Sequence, residues 1–192
     1  EEGNWTHHAA VPLARLRDRT FGIVGLGRIG GAVALRAKSL GMNVAFFDPY
    51  IADGIDKSLG IRRMESLDEL LCISHILSLH TPGSTETQNL LNADAISLLP
   101  KGAFLINTAR GTITDPNAII DALACGHLAG AAIDVLPKEP PPPDSAFLKA
   151  WRDPSHPAFS RLILNPHGAF YSEEGMDDMR IKGSENCRRA IL

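Results

Sequence analysis

Arg110, Glu139 and His167 are side chains whose types could act together on a carbonyl group. A guanidinium can grip a carboxylate through two parallel hydrogen bonds, which fixes the neighbouring carbon for hydride attack. An imidazole, which titrates near neutral pH, can give a proton to the carbonyl oxygen as the hydride arrives. A carboxylate beside that ring would orient it and favour its charged form. Taken singly, these residues read as a surface ion pair, a solvated loop acid and a turn histidine between Pro166 and Gly168. Their joint placement argues for catalysis.

A hydride needs a carrier, and Gly25-Leu26-Gly27-Arg28-Ile29-Gly30 supplies the pattern for one. It follows the apolar run Phe21–Val24 and opens a helical pattern, the context that a G-x-G-x-x-G motif requires. Gly25 permits a tight turn, Gly27 lets a pyrophosphate approach the backbone, and Gly30 lets helix and strand pack closely. The helix N-terminus attracts the anion, and Arg28 could add a side-chain contact. Asp48 lies 23 residues beyond Gly25, where an acid binds ribose hydroxyls. A carboxylate there repels the additional phosphate of NADP, so the expected cofactor is NAD.

The elements that must position these groups are legible as short apolar runs alternating with helical patterns, the signature of βαβ units. Strands are expected near 21–25, 43–47, 75–79, 103–107, 129–134 and 162–164. The fold class is α/β, a Rossmann-type doubly wound parallel sheet with helices on both faces. Every strand of such a sheet delivers its carboxyl end to one rim. The rim would gather His80, Thr81 and Pro82; Asn107, Thr108, Ala109 and Arg110; Asp134 with Glu139 beyond it; and His167. The first helix should bury Ile29, Val33, Ala37 and Leu40 and stop at Gly41. Ser66-Leu67-Asp68-Glu69 reads as a capping box for a helix burying Leu67, Leu70 and Leu71. Asp115-Pro116 starts another, which buries Ile119, Ile120 and Leu123. Residues 172–192 place Met176, Met179, Gly183, Cys187 and Ile191 at helical intervals. Pro140-Pro141-Pro142-Pro143 should be a stiff, extended loop.

Composition narrows the class further. With 192 residues, 44% of them hydrophobic, the chain can bury one sizeable core. A net charge of -3 offers no basic stripe for nucleic acid. Cys72, Cys125 and Cys187 are widely spaced and suggest neither a zinc site nor a disulfide framework, so a reducing, cytoplasmic setting is expected. No apolar run approaches the roughly 20 residues a membrane span needs. Both ends look cut, so the chain reads as an excised domain. Asn4-Trp5-Thr6 matches a glycosylation acceptor, a pattern common by chance.

Val24 to Gly30, Asn107-Thr108-Ala109-Arg110-Gly111, Ala132-Ile133-Asp134-Val135 with Glu139-Pro140, and Asn165-Pro166-His167 resemble the D-isomer-specific 2-hydroxyacid dehydrogenases. The likeness runs from about Arg15 to the C-terminus. It implies that Arg110, Glu139 and His167 are the catalytic set for interconverting 2-oxo and D-2-hydroxy acids. It also implies that Asp134 contacts the nicotinamide carboxamide. The implied cofactor site comprises Gly25, Gly27, Arg28, Ile29, Asp48, Thr81, Pro82, Thr87, Thr108, Ala109, Arg110, Asp134, His167 and Gly168. Residues 15–170 would be the NAD-binding domain, residues 1–14 a lead-in from a substrate-side domain, and 171–192 a helix leading back to it. Glu139 separates the chain from the similar formate dehydrogenases, which carry glutamine there. Ala32 to Lys38, Phe47-Asp48-Pro49-Tyr50 and Tyr171-Ser172-Glu173 most resemble the C-terminal-binding-protein branch of NAD-sensing corepressors, which has tryptophan in place of Phe170. That branch implies a homodimer, transcription-factor partners and a nuclear location; the enzyme reading implies a small 2-oxo or 2-hydroxy acid as partner.

Overall fold

A computed structural model describes residues 13–191. Residues 1–12 of the expected lead-in, with the Asn4-Trp5-Thr6 pattern, lie outside the described residues, as does Leu192. Seven strands form one sheet: β1 (Thr20–Val24), β2 (Asn43–Phe47), β3 (Arg62–Arg63), β4 (Ile76–Leu79), β5 (Ala103–Asn107), β6 (Leu128–Ile133) and β7 (Leu162–Leu164). Their spatial order is β3-β2-β1-β4-β5-β6-β7 and every neighbouring pair is parallel. The chain winds outward from β1 to β3, then crosses over to β4 and winds the other way. The switch point between β1 and β4 is where such sheets open a crevice at their carboxyl rim.

Among the described residues six α-helices lie between the strands, α1 (Arg28–Ser39), α2 (Ile55–Leu59), α3 (Leu67–Ile73), α4 (Ala93–Ser97), α5 (Pro116–Ala124) and α6 (Ala146–Arg152), and α7 (Glu173–Ile191) follows the last strand. Side chains alternate across the strands. Phe21 and Ile23 of β1 therefore pack with Ala34 and Ala37 of α1 and with Val44 and Phe46 of β2. Val24 points the other way, into a larger cluster with Leu70, Leu77, Leu105, Ile119, Leu123 and Phe147. The α1 face is covered unevenly. Register carries it from Ile23 through Ser78, Ile106 and Ala132 to Ile163, which is 69% exposed, and Phe104 on the same face is 48% exposed.

Several expectations from sequence change. The buried face of α1 is Gly30, Ala34 and Ala37, whereas Ile29 and Leu40 are exposed. Small residues face the sheet because α1 lies close against it, and the bulkier apolar residues are turned outward. The short elements β3, α2 and α4 have too few residues to show a period, α6 lacks the capping-box acid that marked α3, and sequence reading missed all four. Edge strand β3 consists of two arginines, which suits a sheet edge that must not pair further. α7 forms as expected but fully buries none of its described residues, and of its apolar interval only Met176 is partly covered. The caps behave as expected: Ser66 accepts from the Glu69 amide and Asp115 from the Asn117 amide, with Pro116 in the first turn. No helix among the described residues is long and apolar enough to cross a membrane.

Candidate active site

β1 runs straight into the glycine-rich turn. Gly25 has φ +89, and a Cβ there would also press on Thr81 and the His80 carbonyl, so the turn requires glycine. A Cβ on Gly30 would lie 2.2 Å from the Gly25 oxygen, which is why helix and turn can touch only without one. A Cβ on Gly27 would meet open space. At that opening α1 begins with no side-chain cap and no acidic residue in its first turn. The helices α3, α4, α5 and α6 are all capped, by Ser66, Asn92, Asp115 and Ser145. The amides that open α1 are thus left to an anion from outside the chain.

Asp48 closes the turn from β2. Its Oδ2 accepts from the Leu26 amide at 2.8 Å and its Oδ1 from the Tyr50 amide at 2.9 Å. On the β4 side, Thr81 Oγ1 is buried without a hydrogen-bond partner. An orphaned hydroxyl beside open space is what a cradle for a polar ligand leaves behind. Gly27, Asp48, Thr81, Pro82 and Thr87 line one pocket of about 220 Å³. Thr87 also shapes it: its hydroxyl donates to the Pro82 carbonyl at 2.7 Å and accepts from the Ser84 amide at 2.9 Å. His80 lines the same pocket, and burial lowers its pKa below the ordinary value.

Further along the rim, His167 Nδ1 meets Glu139 Oε2 at 2.6 Å. The second oxygen of Glu139 accepts from the Leu136 amide at 2.7 Å. Burial pushes the Glu139 carboxyl up, but the hydrogen bonds from His167 and the Leu136 amide, with the attraction of the ring, outweigh it and leave the pKa lowered. Both side chains remain partly open, at 40% for His167 and 36% for Glu139. With Nδ1 committed to Glu139, Nε2 is the ring nitrogen left to give or take a proton. Phe170 stands edge-on to the imidazole at 5.9 Å.

Asp134 holds this arrangement. It is 5% exposed, and its carboxylate accepts from Asn165 Nδ2 and from the Gly168 and Ala169 amides. Its carbonyl accepts from the His167 amide at 2.8 Å, which helps keep His167 at φ +53, a conformation rare outside glycine. The sequence places Asp134 at a strand end but gives no sign that it braces the histidine loop.

Arg110 follows β5, the neighbour of β6. Its guanidinium donates to the Ala109 carbonyl at 2.6 Å and pairs with neither Glu139 nor His167 among the described residues. Buried Asn107 shapes the turn that presents it, donating to the Arg110 carbonyl and accepting from the Ala109 amide, each at 3.0 Å. Gly111 sets the distance between the two loops. A Cβ there would lie 2.0 Å from the Leu136 carbonyl carbon, so only glycine lets the Arg110 loop abut the loop that carries Glu139. Thr108 is exposed and Ala109 buried in that turn, while Arg28 and Ile29 are exposed at the start of α1. Asn107, Gly111 and Asn165 are positioning residues that residue type alone did not reveal.

A parallel sheet with this order, and a glycine turn feeding an uncapped helix at its switch point, define a dinucleotide-binding domain of the Rossmann class. The pattern of the D-isomer specific 2-hydroxyacid dehydrogenase NAD binding domain matches residues 1–169, and the chain belongs to that family. A glyoxylate reductase of Korarchaeum cryptofilum is 38% identical over 188 residues, covering 96% of this chain and 54% of that protein. C-terminal-binding protein 1 of Caenorhabditis elegans is 34% identical over 186 residues, covering 95% of this chain and 24% of that protein. A D-lactate dehydrogenase from Aquifex aeolicus, solved with NAD and lactic acid, superposes with a TM-score of 0.85 at 29% identity, covering 98% of this chain and 58% of that one. The chain therefore spans about half or less of the curated relatives it matches.

Proposed function

We propose that the chain is the NAD-binding half of a dehydrogenase that interconverts a small 2-oxo acid and its D-2-hydroxy acid. The observation that carries this reading is the 2.6 Å contact of His167 with Glu139 on the rim that also holds the glycine turn. NAD, when bound, supplies or accepts the hydride. The chain's residues do the rest. His167 donates a proton from Nε2 to the carbonyl oxygen during reduction and takes it back during oxidation. Glu139 fixes the ring through Nδ1 and balances its charge. Arg110 releases its local carbonyl contact to grip the substrate carboxylate. Gly25, Gly27, Arg28, Ile29, Asp48, Thr81, Pro82, Thr87, Thr108, Ala109, Asp134 and Gly168 hold or shape the cofactor site.

In this reading residues 15–170 form the nucleotide-binding unit, and residues 1–14 and 171–192 join it to a substrate-side domain that excludes water from the cleft. The partners are the small acid and a second copy of the protein, and the setting is cytoplasmic. A corepressor role is the second reading, supported by the similarity to the C. elegans protein and by Tyr171-Ser172-Glu173. The deciding experiment is NADH oxidation by the full-length protein with glyoxylate, hydroxypyruvate and pyruvate. Turnover that collapses in Arg110→Ala and His167→Ala supports the enzyme. Turnover retained in both removes the site.

A further inference from the structure

The glycine-turn pocket carries a contact that dinucleotide binding does not by itself require. Tyr50, two residues past Asp48 on the loop after β2, places its phenol oxygen 2.7 Å and 2.6 Å from the two carboxylate oxygens of Glu86. Glu86 lies on the loop after β4. Because β2 and β4 are the two neighbours of β1, this bond links the loops on the two flanks of the strand that leads into the glycine turn. Both residues line the pocket with Gly25, Gly27, Asp48 and Thr81.

The electrostatics of this strap run one way. Neither lysine nor arginine lines the pocket among the described residues. His80 also lines it, but burial disfavours its charged form. The Tyr50 phenol, 78% exposed, is held above its ordinary pKa chiefly by its hydrogen bond to Glu86, with the negative charge of Glu86 and Asp48 acting the same way. The phenol holds the exposed Glu86 carboxylate beside the pocket that both residues line.

We propose that Glu86, held there by Tyr50, is a specificity-determining residue that sets this site against dinucleotides with a phosphorylated ribose, beyond the barrier that Asp48 provides. The proposal rests on the NAD-binding reading of the same pocket. Two carboxylates on opposite flanks put like charge on both sides of an added phosphate.

The test measures Kd for NADH and NADPH with the 192-residue chain and two variants. Glu86→Gln keeps an acceptor for the phenol and removes only the charge. Tyr50→Phe keeps the charge and releases it. The ratio of the NADPH Kd to the NADH Kd should fall roughly fivefold in Glu86→Gln at low salt, and by less in Tyr50→Phe. The Glu86→Gln effect should fade toward 1 M salt, where the screening length is about 3 Å. An unmoved ratio in Glu86→Gln overturns the proposal, as does an equal loss of both dinucleotides. A parent chain that binds neither overturns the NAD reading with it, whereas tight NADH binding with an unmoved ratio removes only the role of Glu86.

Discussion

Around the glycine turn the binding groups are backbone: uncapped amides at the start of α1, a glycine with φ +89, and space where a Cβ would point. At the β6 end of the rim they are side chains, His167 on Glu139, with Asp134 fastening the histidine loop through four donors, counting the amides of Gly168 and Ala169, Asn165 Nδ2 and, at its carbonyl, the His167 amide. The first end can hold an anion with almost no side-chain chemistry. The second can do chemistry only while its loops stay in register. Damage to the two ends should therefore separate binding from turnover, and each variant below is read in the full-length protein for both.

His167→Asn should show the largest separation. Loss of a positioned general acid costs about 10²- to 10⁴-fold in kcat, while NADH affinity stays within a few-fold. A kcat within tenfold of the parent would contradict the assignment. Gly111→Ala comes next, because its Cβ would push the Leu136 carbonyl and part the Arg110 and Glu139 loops. A misplacement of about 1 Å costs on the order of 10²-fold in turnover. Gly30→Ala makes a comparable clash at the other end, against Gly25, and should instead lose NADH binding. If the two glycine variants gave the same phenotype, the division between the ends would be wrong.

Asp134→Asn is the intermediate case. The amide that replaces one oxygen faces backbone N–H groups, and leaving a buried donor unsatisfied costs about 1–3 kcal/mol, read as a lower denaturation midpoint. Glu139→Gln acts on the pH profile. The Glu139 carboxyl titrates below its ordinary value, so its charge is present at neutral pH and is lost only as pH falls through that depressed value. Glu139→Gln has no such titration, so kcat/KM should fall at neutral pH and lose the acid-side drop that protonation of Glu139 causes, measured as kcat/KM against pH.

The difference between the ends also explains what the sequence could show. The glycine spacing and Asp48 are local, each within one βα unit, so pattern reading located them. His167, Glu139 and Arg110 were singled out by type and by their positions after successive strands, and the structure brings the first two into contact while Arg110 stays on its own loop. Their supports were not visible. Asp134 takes its partners 31 to 35 residues away, and Gly111 is required by a carbonyl on another loop. Both residues stand in motifs read from the sequence, but nothing local marks these supporting roles. The helix α4 and the strand β3 were missed because five and two residues carry no period, and α6, as long as α3, lacks the acid three residues after its capping serine that marked α3. In α1, counting apolar residues chose Ile29 and Leu40, whereas close packing selected the small ones.

The smallest expected effect is a gain. Gly27 is the N-cap of α1, at φ -71 and ψ -160, extended backbone that any residue adopts, and a Cβ there meets no atom. Gly27→Ser can therefore place a hydroxyl oxygen on the first-turn amides of α1, as Ser66 and Ser145 do for their helices. A serine cap is worth about 1 kcal/mol relative to alanine but only a few tenths relative to glycine, so the ligand-free midpoint should rise slightly. The same hydroxyl competes with the pyrophosphate for those amides. NADH affinity should fall by an amount of similar free energy, about twofold, since about 1.4 kcal/mol is a factor of ten. Stability and affinity moving together in the upward direction would mean that α1 does not keep its amides free for the cofactor.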